Sequence, residues 1–124
     1  MVNPYEKYKE QSIMTMTQGE MVVRLYEEVI NQLSRAIICI GEKDIEGSNI
    51  SLQKSQRIIN YLKSTLNYNY EVSGNLSNLY DFFNEQIIKS NIKKDVQPID
   101  QILPLISELK DTFAQGERLS RMQQ

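Results

Sequence analysis

Apolar side chains recur at spacings of three and four residues in four long stretches of the chain, which is the period of one face of an α-helix. No stretch alternates apolar and polar residues for long enough to indicate a β-strand. We therefore predict four amphipathic helices and no sheet. The apolar stripes comprise Val22, Leu25, Tyr26, Val29, Leu33, Ala36, Ile37 and Ile40; Leu52, Ser55, Ile59, Leu62 and Leu66; Val72, Leu76, Leu79, Tyr80, Phe83 and Ile87; and Ile99, Ile102, Leu103, Ile106, Leu109 and Phe113.

Local signals indicate where these helices begin and end. Thr17 followed by Glu20 forms a capping-box pattern before the first helix, and Gly41 is a stop signal after it. Pro98 is tolerated near the start of the last helix, whereas Pro104 predicts a kink or a restart within it. The expected helices span about residues 18–41, 45–67, 71–92 and 97–117.

The linkers between the predicted helices are short, so each helix has to turn back beside its neighbour along the chain. The expected fold is therefore all-α, an antiparallel up-down four-helix bundle. We expect residues 1–124 to form one domain, with residues 1–17 as a short N-terminal arm or cap and residues 118–124 as a frayed or disordered tail.

Composition favours a soluble, cytoplasmic protein. The net charge is −2 and no half of the chain is strongly basic, which argues against binding to a nucleic acid, since that requires clustered cations. The longest apolar run, residues 36–40, is far shorter than the ~20 residues that span a bilayer, so we expect no membrane insertion. The N-terminus resembles no signal peptide, and a single cysteine, Cys39, suits a reducing compartment.

Residue types that carry catalysis are scarce. The chain has no histidine, which removes the commonest general base and the commonest metal ligand. Its five glycines are scattered and form no phosphate-binding loop. Cys39 lies in an apolar run and is expected to be a buried thiol rather than a nucleophile. We expect no enzyme activity, no catalytic residue, no metal site and no cofactor.

The second predicted helix carries more apolar surface than one buried face requires. Ile50, Ile58, Tyr61 and Thr65 lie roughly opposite its core stripe at 100° per residue, with Lys54 and Arg57 beside them. Single exposed apolar residues are ordinary, but a patch at helical spacing usually marks a partner surface. Burying each of these apolar side chains against a partner would favour binding by ~2 kcal/mol, and the free-energy cost of association would largely cancel this gain. A partner would therefore have to extend over more than one groove.

Four strings in the sequence occur in the order and spacing of a known family. They are NPYEKYKEQSIMT, LYEE, the pattern N-x-x-L-x-K-x-Q-x-I-I over Asn49 to Ile59, and NLSNLYDFF. Together they make the chain similar, over nearly its whole length, to the FliS family of flagellin export chaperones. The sequence departs from the family before helix one, where residues 15–18 read TMTQ instead of T-A-S-P, and in the last helix, where Pro104 is unusual.

The resemblance implies a cytoplasmic export chaperone that does no chemistry. Such a protein binds the C-terminal segment of flagellin, prevents its premature polymerisation and delivers it to the flagellar type III export apparatus. The partner is expected to wrap around the bundle, with helical pieces in apolar grooves. The groove residues implied here, several of which have a core position as the alternative, are Ile50, Lys54, Gln56, Arg57, Ile58 and Tyr61 on helix two and Leu79, Tyr80, Phe82 and Phe83 on helix three.

The N-terminal arm carries apolar side chains that no helical stripe accounts for, among them Tyr5, Tyr8 and Ile13. One interpretation is that they cover part of the groove until flagellin displaces them. The tether would hold the arm at an effective concentration on the order of millimolar, so weak contacts would suffice. The alternative interpretation is that these residues permanently complete one end of the bundle.

Two further alternatives stay open at the level of sequence. The bundle could instead be an adaptor or regulator of another protein, which would share the exposed stripe without preferring flagellin. An exposed groove is also equally compatible with a monomer and with a homodimer.

Overall fold

The computed structural model describes residues 18–122, and this part of the chain forms four α-helices joined by short turns. Each helix packs against the next one, and the last packs back against the first. Numbering rises along one helix as it falls along its neighbour, since Asn49 contacts Asn91 and Asn60 contacts Asn84. The predicted antiparallel four-helix bundle is therefore confirmed. The helices are α1 (Gln18–Gly41), α2 (Ile45–Ser64), α3 (Glu71–Lys93) and α4 (Gln97–Met122).

All four helices contribute to a single apolar core, and the hydrophobic side chains buried in it belong to the stripes expected from the sequence. Half-buried side chains such as Val22, Ile58 and Leu109 pack around this core. Burial at helical spacing explains why the stripes were visible in the sequence. The buried apolar residues are Tyr26, Val29, Leu33 and Ala36 on α1; Leu52, Ile59 and Leu62 on α2; Tyr80, Phe83 and Ile87 on α3; and Ile99, Ile102 and Ile106 on α4.

Two core tyrosines connect helices that lie diagonally across the bundle. The hydroxyl of Tyr26 on α1 is hydrogen-bonded to the hydroxyl of Tyr80 on α3, and both side chains are almost fully buried. The ring of Phe113 lies 5.4 Å from that of Tyr26 between centroids. Burial raises the pKa of both tyrosines above the ordinary value of 10.0. This pair is a polar contact between two side chains of the hydrophobic core.

The turn between α1 and α2 ends the first helix in a way that the sequence did not indicate. The helix ends at Gly41, but the residue with left-handed backbone is Lys43, with a φ of 60°. The Lys43 amide donates to the Ile40 carbonyl and the Asp44 amide donates to the Cys39 carbonyl, as in a Schellman motif. This motif usually has glycine at the left-handed position, because a side chain there is strained.

The turn between α3 and α4 also contains a left-handed lysine, Lys94, with a φ of 51°. Here the side chain has contacts of its own. Its Nζ donates to Oγ of Ser48, at 3.1 Å, and to Oδ1 of Asn91, at 2.5 Å. Lys94 therefore connects the end of α3 to the start of α2 as well as closing the turn.

Helix α4 is longer than expected, because it continues to Met122, beyond the predicted end at residue 117. Arg121 explains part of this extension, since it lies 3.4 Å from Glu20 of α1 and 3.5 Å from Glu117. The helix is also uninterrupted at Pro104, so the predicted restart does not occur. Pro104 is exposed, which leaves solvent to satisfy the carbonyl that its missing N–H cannot reach.

Candidate partner-binding groove

The apolar stripe predicted on α2 is present on the surface of the bundle. Ile50 is 45% exposed and Tyr61 is 51% exposed, whereas Ile58 is half-buried and packs against the core. Lys54 and Arg57 are exposed on the same side of the helix. The stripe is therefore accessible at its two ends, Ile50 and Tyr61, and half-buried at Ile58.

The side of α2 that faces α3 is polar, which determines where the stripe points. Ile50 follows Asn49, and Tyr61 follows Asn60, so each lies about 100° round the helix from this side. The stripe consequently opens towards α1. The polar pairs between α2 and α3 are Asn49–Asn91, at 2.8 Å, Asn60–Asn84, at 2.8 Å, and Lys63–Asp81, at 2.6 Å.

An open groove of about 620 Å³ lies between α1 and α2 beside their connecting turn. Its apolar surface includes Ile50 and, from α1, Ile38, which is 59% exposed. Ile38 was not predicted as a site residue, although its place outside the first stripe could have indicated an exposed role. The lining residues are Asn31, Ser34, Arg35, Ile38, Cys39, Asp44, Gly47, Ile50 and Ser51.

Two of the site residues predicted on α3 belong to the core. Tyr80 is 2% exposed and Phe83 is 1% exposed, so neither side chain offers accessible surface on the outside of the bundle. Their aromatic rings fill the core opposite α1, with centroids 6.4 Å apart. Leu79 is half-buried against the same core, which leaves Phe82, at 38% exposed, as the accessible aromatic residue of this set.

The predicted site residues do not come together in one groove. Phe82 precedes Asn84 by two residues and so lies about 200° round α3 from the side that faces α2. Gln56 precedes Asn60 by four residues and therefore faces α3, away from Ile50 and Tyr61. The structure brings together Ile50, Lys54, Arg57, Ile58 and Tyr61 on one side of α2, and separates Gln56 and Phe82 from them.

A second apolar cavity, of about 410 Å³, lies at the end of the bundle where α1 begins. The sequence did not reveal it, because each helix contributes only one or a few side chains and no single stripe marks the cavity. The arm residues Tyr5, Tyr8 and Ile13, and the capping residue Thr17, lie outside the described residues. The lining residues are Gln18, Val22, Leu62, Thr65, Leu66, Asn67, Tyr70, Val72, Ser73, Leu76, Tyr80 and Phe113.

The thiol of Cys39 lies at the edge of the α1–α2 groove and is partly buried. Burial, followed by the negative charges of Asp44 and Glu42, raises the pKa of this thiol. A raised pKa keeps the thiol protonated and lowers its reactivity. Within residues 18–122 no three potential metal-binding side chains come together, and no helix is both long and apolar enough to cross a membrane.

Comparison with known proteins agrees with this fold. The chain is 31% identical over 119 residues to the flagellar secretion chaperone FliS of Bacillus subtilis (strain 168), covering 96% of this chain and 90% of the relative. It is 26% identical over 110 residues to the protein of the same name from Escherichia coli (strain K12), covering 86% of this chain and 81% of the relative.

A solved structure described as the crystal structure of a flagellar chaperone from bacteria has the same fold. The TM-score is 0.77 at 23% sequence identity, and the similarity covers 92% of this chain and 94% of that one. The family model described as flagellar protein FliS matches residues 1–119. The family predicted from the four sequence strings is therefore confirmed, and the chain belongs to the FliS family of flagellar secretion chaperones, a class of proteins that are not enzymes.

Proposed function

We propose that this chain is a cytoplasmic chaperone that binds the C-terminal segment of flagellin, prevents its premature polymerisation and delivers it to the flagellar export apparatus. Family membership supports the flagellar role. The observation that supports peptide binding is the exposed apolar stripe of α2, which has Ile50 and Tyr61 at its two ends and of which Ile50 lines the α1–α2 groove. Apolar surface of this kind on a bundle usually marks a site for another chain.

The stripe alone is too small to bind a flexible partner tightly. Ile38, Ile50 and Tyr61 are each about half exposed, so covering them would supply roughly 1 kcal/mol each, or ~3 kcal/mol together. Loss of translational and rotational freedom costs at least ~4 kcal/mol, and ordering a disordered segment costs more. A useful affinity therefore requires a partner that also covers apolar surface elsewhere, such as Phe82 on α3.

The proposed function is tested by calorimetric titration with the C-terminal segment of the cognate flagellin. A segment of about 40 residues is suitable, because at 1.5 Å per residue in a helix it can pass over more than one groove. We expect 1:1 binding with a negative heat-capacity change, the mark of apolar burial, and no binding of an N-terminal segment of equal length. Absence of heat with well-folded protein would refute the proposal and favour an adaptor with another partner.

Substitutions on the stripe test whether it forms the contact. I50S/Y61S should weaken binding of the C-terminal segment by about tenfold or more, since both apolar contacts are lost. Ile92→Ser is the matched control, because Ile92 is 77% exposed near the C-terminal end of α3 and outside the groove lining. Equal weakening by both variants would show that the stripe has no special role.

We further propose that the arm covers part of this surface until flagellin displaces it. Chain length limits which residues reach which site, at 3.3–3.6 Å per extended residue. Ile13 is five residues before Gln18 and reaches about 17 Å, enough for the cavity at the bundle end. Ile50 borders the same groove as Arg35 and Ile38 of α1, and this level of α1 is about 27 Å from Gln18 at 1.5 Å per residue. Of the three arm residues, Tyr5 and Tyr8 are therefore far enough along the arm to cover Ile50, and Ile13 is not.

Deletion of residues 1–15 distinguishes a displaceable arm from a permanent part of the bundle. A displaceable arm competes with the partner, so its removal should increase the affinity for the flagellin segment. The factor is the reciprocal of the fraction of molecules in which the arm leaves the groove uncovered. A permanent cap predicts a lower free energy of unfolding and no gain in affinity. The two outcomes are separated by measuring urea unfolding and calorimetric affinity on the same preparation.

A further inference from the structure

The side of α3 that points away from the core carries apolar side chains that remain accessible in the bundle. Phe82 is 38% exposed, Ile88 is 44% exposed and Ile92 is 77% exposed. Glu85 and Lys89 are exposed between them. At 100° per residue, all of these side chains lie within about 60° of Glu85 round the helix. We call this set of five residues the outer face of α3.

The two charged residues of the outer face have no ion-pair partner within residues 18–122. The neighbouring acid Asp81 is different, because Lys63 of α2 already binds its carboxylate at 2.6 Å. The outer face therefore presents one acid, Glu85, and one base, Lys89, for contacts outside the bundle.

The order of residues along the outer face is self-complementary. Glu85 and Lys89 stand two residues before and two residues after Ile87, and Phe82 and Ile92 stand five residues before and five after it. An antiparallel copy of α3, related by a twofold axis at the level of Ile87, would place each acid beside the base of the other chain. The same operation places each phenylalanine beside the isoleucine of the other chain.

From this pattern we infer that the outer face of α3 binds the outer face of a second copy of this chain, antiparallel, in a symmetric homodimer. Two Glu85–Lys89 ion pairs flank the twofold axis, and the two Ile88 side chains meet beside it. The α1–α2 groove lies on another side of the bundle and stays open, so the inference holds whatever protein that groove binds. Phe82 is covered in the dimer, so a partner that needs Phe82 binds the monomer.

The charges also select the antiparallel arrangement. A parallel pair of α3 helices in register would place Glu85 beside Glu85 and Lys89 beside Lys89, and like charges disfavour that pairing. The contact is small, since the outer face is one helix wide and about 15 Å long from Phe82 to Ile92 at 1.5 Å per residue. It falls short of the ~800 Å² per partner of a standard interface. We therefore expect a weak dimer that forms at micromolar concentrations or above.

The experiment is sedimentation equilibrium of the full chain and its charge-reversal variants at low ionic strength, from about 1 µM to about 1 mM. E85K and K89E each replace two attractions by two repulsions, so each should weaken the dimer about tenfold or more. An equimolar mixture of E85K with K89E should recover the parent affinity, because both pairs of the mixed dimer join unlike charges. K54E is the matched control for K89E, since Lys54 is exposed on the side of α2 away from α3 and should leave the dimer unchanged.

Ile92→Ser tests the apolar part of the contact. It should also weaken the dimer about tenfold, because both Phe82–Ile92 contacts are lost, and circular dichroism should show an intact bundle, since Ile92 is so widely exposed. A parent chain that stays monomeric throughout the concentration range would overturn the inference. So would a mixture of E85K and K89E that fails to recover the dimer, or a K54E variant weakened as much as K89E. A dimer that E85K, K89E and Ile92→Ser all leave unchanged would use another face, which also overturns it.

Discussion

The buried tyrosine pair gives the sharpest stability prediction. Removing the hydroxyl of Tyr26 leaves the hydroxyl of Tyr80 buried with no other hydrogen-bond partner in the described part of the chain. An unsatisfied buried hydroxyl costs about 1–3 kcal/mol, so Y26F and Y80F should each lower the free energy of unfolding by about 2 kcal/mol. In Y26F/Y80F neither hydroxyl remains, and the loss should be about 1 kcal/mol or less.

Urea unfolding followed by far-ultraviolet circular dichroism measures these differences as shifts of the midpoint at constant slope. The expected coupling between the two sites is about 3 kcal/mol, well above the ~0.5 kcal/mol error of additivity. Tyr68→Phe is the control, since its hydroxyl is exposed and bonds to Ser77 at 3.2 Å, and it should change stability by less than about 0.5 kcal/mol. Single substitutions that add in the double variant would refute the reasoning.

Three further predictions follow from other features of the bundle. Lys43→Gly should raise the free energy of unfolding by about 0.5–1 kcal/mol in urea, because glycine relieves the left-handed strain at φ 60°; Lys94→Gly should not, because it loses the bonds to Ser48 and Asn91, and equal gains would contradict this explanation. The pKa of Tyr26 and of Tyr80 is raised in the folded state, so their contribution to the free energy of unfolding is fully present below pH 10. Above pH 10 the tyrosines of the unfolded chain ionise, and the free energy of unfolding falls by at most about 1.4 kcal/mol per pH unit for each tyrosine. Y26F/Y80F should flatten this decline when urea unfolding is measured at pH 9–11. Cys39 should react with a disulfide reagent more slowly than a free peptide thiol, with its pH–rate profile displaced to higher pH by its raised pKa; a profile displaced to lower pH would contradict this assignment.

The bundle could be predicted well from the sequence because helix periodicity and linker length are local features of the chain. Burial of one helix face imposes a period of 3.6 residues that any reader of the chain can recognise, and short linkers leave an antiparallel arrangement as the simple solution. The end of α1 was less accessible. Gly41 looked like the terminating residue, but the left-handed position fell on Lys43, where a Schellman motif tolerates a strained side chain for the sake of its two hydrogen bonds.

The site was only partly predictable because it depends on how helices are rotated against one another. Projection of α2 alone showed an exposed stripe but could not tell whether it opened towards α1 or α3; the Asn49–Asn91 and Asn60–Asn84 contacts decide this. In NLSNLYDFF, aromatic side chains one or two residues apart point in different directions. The apolar stripe of the third helix placed Tyr80 and Phe83 in the core and left Phe82 outside it, whereas the family resemblance implied all three as groove residues; of the three, Phe82 is the accessible one.

The Arg121–Glu20 contact has a practical consequence for anyone who handles this protein. It holds the last turn of α4 beside the first turn of α1, so a fluorophore attached at Gln18 or at Met122 adds its bulk at the same pole of the bundle. That pole also contains the bundle-end cavity. The opposite pole carries the turns around Lys43 and Lys94. A surface-immobilisation tag or dye placed at Lys43 would leave the bundle-end cavity unobstructed, whereas Lys94 is unsuitable because its ammonium is already bonded to Ser48 and Asn91.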